Sequence, residues 1–238
     1  MVDIFDPNKL DDIAADSVQT QLGEKAHLEG MVVEYRETLA KLSEDTDPVQ
    51  RAETQLELGR ALQILERGSE AWPILQTALG VFLENRDWGK AADTLDQMYL
   101  TGEDQALQAL GQGIWLGVTF PIDPEITVHL LSHVIDDTPD DSDGAAVAAA
   151  TACFLTDMRA AEGPDRERLL FFSQQLLGKV ARRHSEVETQ EQFNFWIERL
   201  ELNDPDKFLI RLRNVVDVLV QEDWWFDRDA LQADIPAN

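Results

Sequence analysis

The 238-residue sequence has little cysteine and no long uncharged apolar run. Its one cysteine, Cys153, excludes an intrachain disulfide framework, and its setting among small apolar residues in GAAVAAATACFL predicts a buried side chain. Because no run of about eighteen uncharged apolar residues occurs, we expect neither a membrane-spanning helix nor a membrane partner. Residues 1–16 lack the basic segment and apolar run of a secretory signal, so we predict a cytoplasmic protein.

Basic side chains are also scarce, with 20 Lys and Arg against 46 Asp and Glu and a formal net charge of −26. The two halves of the chain are equally acidic, so the charge is not confined to a tail. A field of this sign repels phosphates, which speaks against a nucleic-acid partner. It suits a well-solvated protein or one that attracts basic partners. Charge alone also suggests an alternative, an acidic mimic of nucleic acid.

Strand patterns and catalytic motifs are missing as well. Apolar residues recur at helical spacing, and we find no convincing run of alternating apolar and polar residues. The sequence has no glycine-rich phosphate loop, no Gly-x-Ser-x-Gly elbow and no Cys-x-x-Cys motif. At 44% hydrophobic residues, the chain can still bury a substantial core. We therefore predict an all-α protein without catalytic activity and without a cofactor.

Prolines and N-cap residues divide the chain into about eleven helices. Asp47-Pro48 and Asp123-Pro124 each place a capping carboxylate before a proline at the first helical position. The predicted helices lie at about 7–20, 24–42, 49–66, 70–84, 88–100, 104–118, 124–135, 143–160, 164–183, 187–201 and 205–221, with a short tail after them.

Short links between helices favour stacked antiparallel hairpins, either as an α-solenoid or as an irregular bundle. We expect a single all-α domain over residues 1–238. Its N-terminal hairpins would occupy residues 1–120, and a C-terminal helical part would occupy residues 121–238.

The stretch LGRALQILERGSEAWPILQTAL, residues 58–79, places small side chains where two paired helices would meet. With its flanking residues it resembles the tetratricopeptide repeat over about residues 50–100, and we take 49–100 as the tetratricopeptide-like core. The matching residues are Leu58, Gly59, Leu62, Ala71, Leu75 and Ala78. Gln55 and Leu83 replace an aromatic residue and a proline of that family. GSEAW and DWGKAADTL repeat at a spacing shorter than the family period of roughly 34 residues. Either the array is irregular, or the helix that holds Ala78 serves two neighbours.

The resemblance implies a groove that holds a peptide or a helix of another protein. In that family the residues that line the groove come mostly from first helices, which here points to Gln55, Arg60 and Gln63. We therefore predict an adaptor, scaffold or assembly factor for a cytoplasmic protein partner, and a homo-oligomer is a further option.

Two other segments are predicted partner contacts. Trp224, Trp225 and Phe226 are consecutive, so they cannot all face one way in a regular element. Either at least one of them is an exposed interface anchor, or the segment folds back over the last helices. Arg182 and Arg183 in GKVARRH either complement the dipole of their helix or bind an acidic segment of a partner or of a second copy.

The stretch DPEITVHLLSHVIDD is the one that suggests metal chemistry. Glu125, His129, His133 and Asp136 fall at i, i+4, i+8 and i+11, along one helical face. Two histidines at i, i+4 can hold a divalent metal, but the ligand vectors of a single helix run nearly parallel. We therefore expect surface or packed histidines and no metal. The alternative is a metal-dependent enzyme or metal carrier built on His129 and His133.

Overall fold

A computed structural model describes residues 7–43 and 45–233, with side chains from residue 22 onward. Over these residues the regular structure is helical throughout. The helices are α1 Pro7–Lys41, α2 Pro48–Ile64, α3 Gly68–Glu84, α4 Trp88–Leu100, α5 Ala106–Thr119, α6 Pro124–Asp137, α7 Asp143–Arg159, α8 Pro164–Ser185, α9 Gln190–Arg199, α10 Pro205–Val220 and α11 Arg228–Ala233.

The all-α prediction is confirmed, and the predicted caps are present. Asp47 and Asp123 accept hydrogen bonds from the backbone N–H groups of Val49 and Glu125, at 3.0 and 2.9 Å. The prediction of two separate N-terminal helices is wrong, because α1 continues through Gly23. A lone glycine costs a helix only about 1 kcal/mol, and no proline accompanies it to end the helix.

Each helix packs against the next in chain order from α1 to α8. Contacts also join α2 to α4, α4 to α6 and α6 to α8, so these helices form a layer that we call the even-numbered layer. Helix α10 returns to pack against α5 and α7. Because short turns join the successive helices, the product is a stack of antiparallel hairpins, as predicted.

Successive helices start at nearly constant intervals, at residues 48, 68, 88, 106, 124 and 143 for α2 to α7. The turns after α2 and α3 are alike, since Glu66 and Arg86 have φ angles of 59° and 58°. In each turn the next N–H returns to a carbonyl five residues back, Arg67 to Leu62 and Asp87 to Phe82, both at 2.9 Å. The echo between GSEAW and DWGKAADTL therefore marks successive helices, and one hairpin takes two such intervals.

Gly59 allows the close approach of α2 and α3 that its position predicts. Ala71, Leu75 and Ala78 of α3 have no exposed surface. A Cβ atom on Gly59 would lie 2.4 Å from Cδ2 and 2.6 Å from Cγ of Leu75, which is far inside van der Waals contact. The small side chains thus set the distance between the two helices.

Buried apolar side chains form a continuous core cluster that extends from Val32 of α1 to Val220 of α10. Among the helices of residues 7–43 and 45–233, none is both long and apolar enough to cross a membrane. The single domain, its division near residue 120 and the cytoplasmic location stay predictions.

We expect Gly59→Ala to lower the free energy of unfolding by about 1–3 kcal/mol, because the new methyl group overlaps the side chain of Leu75, which is fully buried in the core. The matched control is Gly80→Ala in α3, where a Cβ atom has nothing within 4 Å. This control should raise stability by about 0.5–1 kcal/mol through helix propensity. Urea denaturation of both variants measures the difference, and equal effects would contradict the packing role of Gly59.

Candidate functional site: an apolar groove and a two-histidine cluster

Polar side chains join alternate helices across the even-numbered layer. The pairs are Arg60–Asp93, Lys90–Glu53, Tyr99–Asp137 and Lys179–Asp136. The partners are 33 to 43 residues apart in the chain, which is about one hairpin. A strong cation or a phenol takes part in each of these pairs.

One contact between α4 and α6 is built differently. The carboxylate of Asp96 lies between two imidazoles, with Oδ2 3.2 Å from Nδ1 of His129 and Oδ1 2.9 Å from Nε2 of His133. The side chain of Asp96 is only 5% exposed. Gln97 Nε2 donates a further hydrogen bond to Asp96 Oδ2 at 3.3 Å. We call Asp96, His129 and His133 the two-histidine cluster.

The hydrogen bonds of the cluster hold the buried carboxylate in its charged form. Burial raises the pKa of Asp96, but the hydrogen bonds from His129 and His133 outweigh burial, and the net pKa lies below the usual value. The hydrogen bond to Asp96 raises the pKa of His129 against the opposing effect of burial, and the charges of Asp96, Asp93 and Glu125 act in the same direction. A protonated imidazole thus neutralises a carboxylate that would be costly to bury alone.

The structure brings together two of the four predicted metal-ligand candidates. His129 and His133 share Asp96, whereas Asp136 forms an ion pair with Lys179 at 2.7 Å. Glu125 lines a cavity beside His129. Asp96 is not among the site residues predicted from sequence, although its place between Leu95 and Met98 at helical spacing is a signal that the carboxylate needs a buried partner. The helix that supplies this partner cannot be read from the local sequence.

A groove of about 370 Å³ lies between α5, α6 and α10, next to the start of α7. We call it the α5–α10 groove, and the residues that line it are Leu107, Leu110, His133, Val134, Asp137, Thr138, Ser142, Gly144, Asn214, Val215, Val218 and Leu219. Leu107 and Val218 are 53% and 74% exposed, which is high for apolar side chains. The groove is therefore an apolar depression that is open to solvent.

A second cavity, of about 360 Å³, lies between α6 and α8. It is lined by Glu125, Val128, His129, Asp165, Arg168, Leu169 and Phe172. His129 lines this cavity and His133 lines the α5–α10 groove, so each opening contacts one histidine of the two-histidine cluster.

The aromatic segment Trp224–Phe226 packs against α3 and α5, whereas the fold-back alternative placed it over the last helices. Trp225 lies edge-on to Trp72 of α3 at 6.0 Å between ring centres, and its backbone N–H donates to Gln112 Oε1 at 2.8 Å. Trp224 and Phe226 both contact Trp115 of α5. All three side chains are half-buried on α3 and α5, and their role as partner contacts stays a prediction.

The predicted groove residues of α2 serve the stack itself. Arg60 pairs with Asp93 at 2.8 Å, and Gln63 Nε2 donates to the carbonyl of Leu100 at 3.2 Å. Gln55 is half-buried. None of the three side chains lines the α5–α10 groove, so their part in partner binding stays a prediction.

The basic cluster of α8 is divided between two environments. Arg183 donates to the carbonyl of Ile135 at 2.5 Å and so complements the C-terminal end of α6. Arg182 is exposed, and the described residues give it no ion-pair partner. Binding of an acidic segment by Arg182 and Arg183 stays a prediction, and Arg183 also has the contact with α6.

Comparisons with known proteins leave the function open. No family model, no curated protein and no solved structure matches the chain. The α5–α10 groove and the two-histidine cluster are therefore the features that bear on its function.

We expect the imidazole of His129 to titrate above the ordinary histidine pKa of about 6.5, and Asp96→Asn to bring its pKa down. Long-range ¹H–¹⁵N NMR of the histidine rings measures this, and the resonances of exposed His27 should respond alike in both proteins. Because the folded-state pKa is raised, the stabilisation is complete below about pH 6.5 and is lost as the pH rises through the raised pKa. An unchanged His129 titration in the variant would contradict the pairing with Asp96.

Proposed function

We propose that the protein is a non-catalytic interaction module that holds a basic amphipathic helix of a partner protein in the α5–α10 groove. The apolar and solvent-open lining of this groove, with carboxylates at its edge, is the observation on which the proposal depends. A protein that holds a partner helix in this way would act as an adaptor, scaffold or assembly factor, which is the function expected from sequence.

Leu107 and Val218 are the reason to expect an apolar face on the partner helix. Both side chains line the same groove, and both are more than half exposed. Each square ångström of apolar surface removed from water contributes about 25 cal/mol, so a partner that covers these side chains gains affinity. Contiguous apolar surface of this kind typically marks an interaction site.

The negative charge around the groove favours a partner with basic side chains. Asp137 lines it, and the loop between Thr138 and Ser142 adds the exposed residues Asp140 and Asp141. Together with the net charge of −26, these carboxylates attract a basic segment over a distance and help to orient it. A second copy of the chain suits the groove less well, since it brings the same negative charge.

The fold favours a helical occupant. The described residues contain no strand, so they offer no sheet edge to which an extended peptide could add. Helix-in-groove recognition instead needs an apolar depression between helices, which α5, α6 and α10 supply. The tetratricopeptide-like spacing around Gly59 supports the same mode, because stacks of that kind present grooves to peptides and helices.

An amphipathic peptide of leucine and lysine, labelled with a fluorophore, is a probe of the groove. We expect saturable one-to-one binding by fluorescence anisotropy, and weaker binding of a scrambled peptide with the same charge. Val218→Asp should weaken binding at least about tenfold, because a charge would be buried under the peptide. The matched control is Ile210→Asp, which adds the same charge to α10 at a residue that is 58% exposed and lies outside the groove.

The design separates groove binding from simple charge attraction. An added aspartate strengthens purely electrostatic binding of a basic peptide, so the loss expected for Val218→Asp runs against that trend. Equal binding of the scrambled peptide, or equal affinity of the two aspartate variants, would contradict the proposal. The nucleic-acid-mimic alternative instead predicts competition with DNA for a basic protein, independent of Val218.

A further inference from the structure

We infer that Asp96, His129 and His133 form a binding site for a divalent transition-metal ion, with zinc as the best fit. This inference does not depend on the proposed function. It starts from the way in which this contact departs from the other polar pairs of the even-numbered layer.

Arginine, lysine or tyrosine joins the other pairs between alternate helices. An arginine or lysine cation has no lone pair to offer a metal. At the two-histidine cluster the same place in the stack holds two imidazoles, which bind metals in their neutral form. If neutralisation of Asp96 were the only requirement, one arginine or lysine would meet it, as Arg60 does for Asp93.

The distances suit a metal of small radius. One ligand atom from each of the three side chains lies within 4.8 Å of the other two. Ligands at 2.0–2.1 Å from zinc in a tetrahedral site are about 3.3 Å from one another. Asp96 contacts the two histidine nitrogens through different oxygens of its carboxylate, Oδ2 at 3.2 Å from His129 and Oδ1 at 2.9 Å from His133, and each distance is close to that spacing. A shift of at most about 1.5 Å would bring the most widely separated pair of these ligand atoms to that spacing.

The site has both a fixed and an adjustable part. Asp96 is buried in α4, and the ring of His133 lies 4.6 Å from that of Tyr99, so packing limits their movement. The side chain of His129 is 56% exposed and has room to rotate. Because Asp96 comes from α4 and the histidines from α6, the ligands approach from two helices, which removes the parallel-vector problem of α6 alone.

The ligand set selects the class of metal. Two nitrogens and one carboxylate suit zinc and its neighbours, whereas magnesium and calcium prefer oxygen ligands alone. His129 also lines the cavity that contains Glu125, so that a metal held by His129 would lie next to an open, water-accessible space. Three protein ligands with a fourth position open are typical of exchangeable or reactive zinc sites and not of closed structural ones.

Isothermal titration with ZnCl₂ tests the site, in excess Mg²⁺ to occupy oxygen-only sites among the 46 acidic residues. We expect one equivalent of zinc to bind with micromolar or tighter affinity. His129→Gln, His133→Gln and Asp96→Asn should each weaken binding at least about tenfold. The control His27→Gln removes an exposed imidazole of α1 and should leave the affinity unchanged.

A second measurement uses the unsubstituted protein, because a variant that misfolds could lose zinc affinity for that reason alone. In long-range ¹H–¹⁵N NMR, one equivalent of Zn²⁺ should shift the ring resonances of His129 and His133 and leave those of His27 in place. Ring resonances of His129 and His133 that do not respond to zinc would overturn the inference. Full zinc affinity in a folded His129→Gln/His133→Gln double variant would overturn it equally.

Discussion

The stack depends on helices whose side chains are small enough for several neighbouring helices to pack closely around them. α5 is contacted by α4, α6 and α10 and by the aromatic segment Trp224–Phe226. Its glycines lie at separate contacts, where a Cβ atom on Gly111 would be 2.6 Å from Val220 of α10 and one on Gly117 would be 2.8 Å from Thr127 of α6. α7 meets the same constraint with a run of buried alanines. Because α10 can therefore settle on α5 and α7, it lies across from α6 and leaves the α5–α10 groove open between them.

Two of the arginines in this acidic protein bind the carbonyl groups at helix ends. The guanidinium of Arg159 donates to three carbonyls at the end of α5, those of Gly117, Val118 and Phe120, at 2.5, 2.6 and 3.0 Å. Arg183 does the same for Ile135 at the end of α6. These carbonyls have no partner within their own helix, so an arginine from another helix satisfies them and complements the dipole. Within the part of the chain that the structure describes, these two cations bind helix carbonyls and form no ion pair with a surface carboxylate, so they do not reduce the negative charge of the surface locally.

The parts of the fold that could be predicted from sequence are those with local causes. Asp47 and Asp123 cap helices through residues next to them, and Gly59 shows its role by a spacing that a helical hairpin requires. Gly23 misled because a glycine in a helix is a small energetic cost and not a stop signal. Asp96 was missed because its partners lie 33 and 37 residues away in a helix that only the stack brings near. The α5–α10 groove was missed for the same reason, since α10 is far from α5 in sequence.

His133 connects the two features to which we assign function. Its Nε2 atom contacts Asp96, while its ring lines the α5–α10 groove. A metal held by Nε2 would fix the orientation of a side chain that forms part of the partner surface. A helix seated on that surface would in turn limit the movement of the ring. Coupling of this kind is reciprocal, so that metal and partner would change each other's affinity by the same factor. The short distance from ligand atom to groove wall, one imidazole ring, makes His133 the residue through which such coupling would pass.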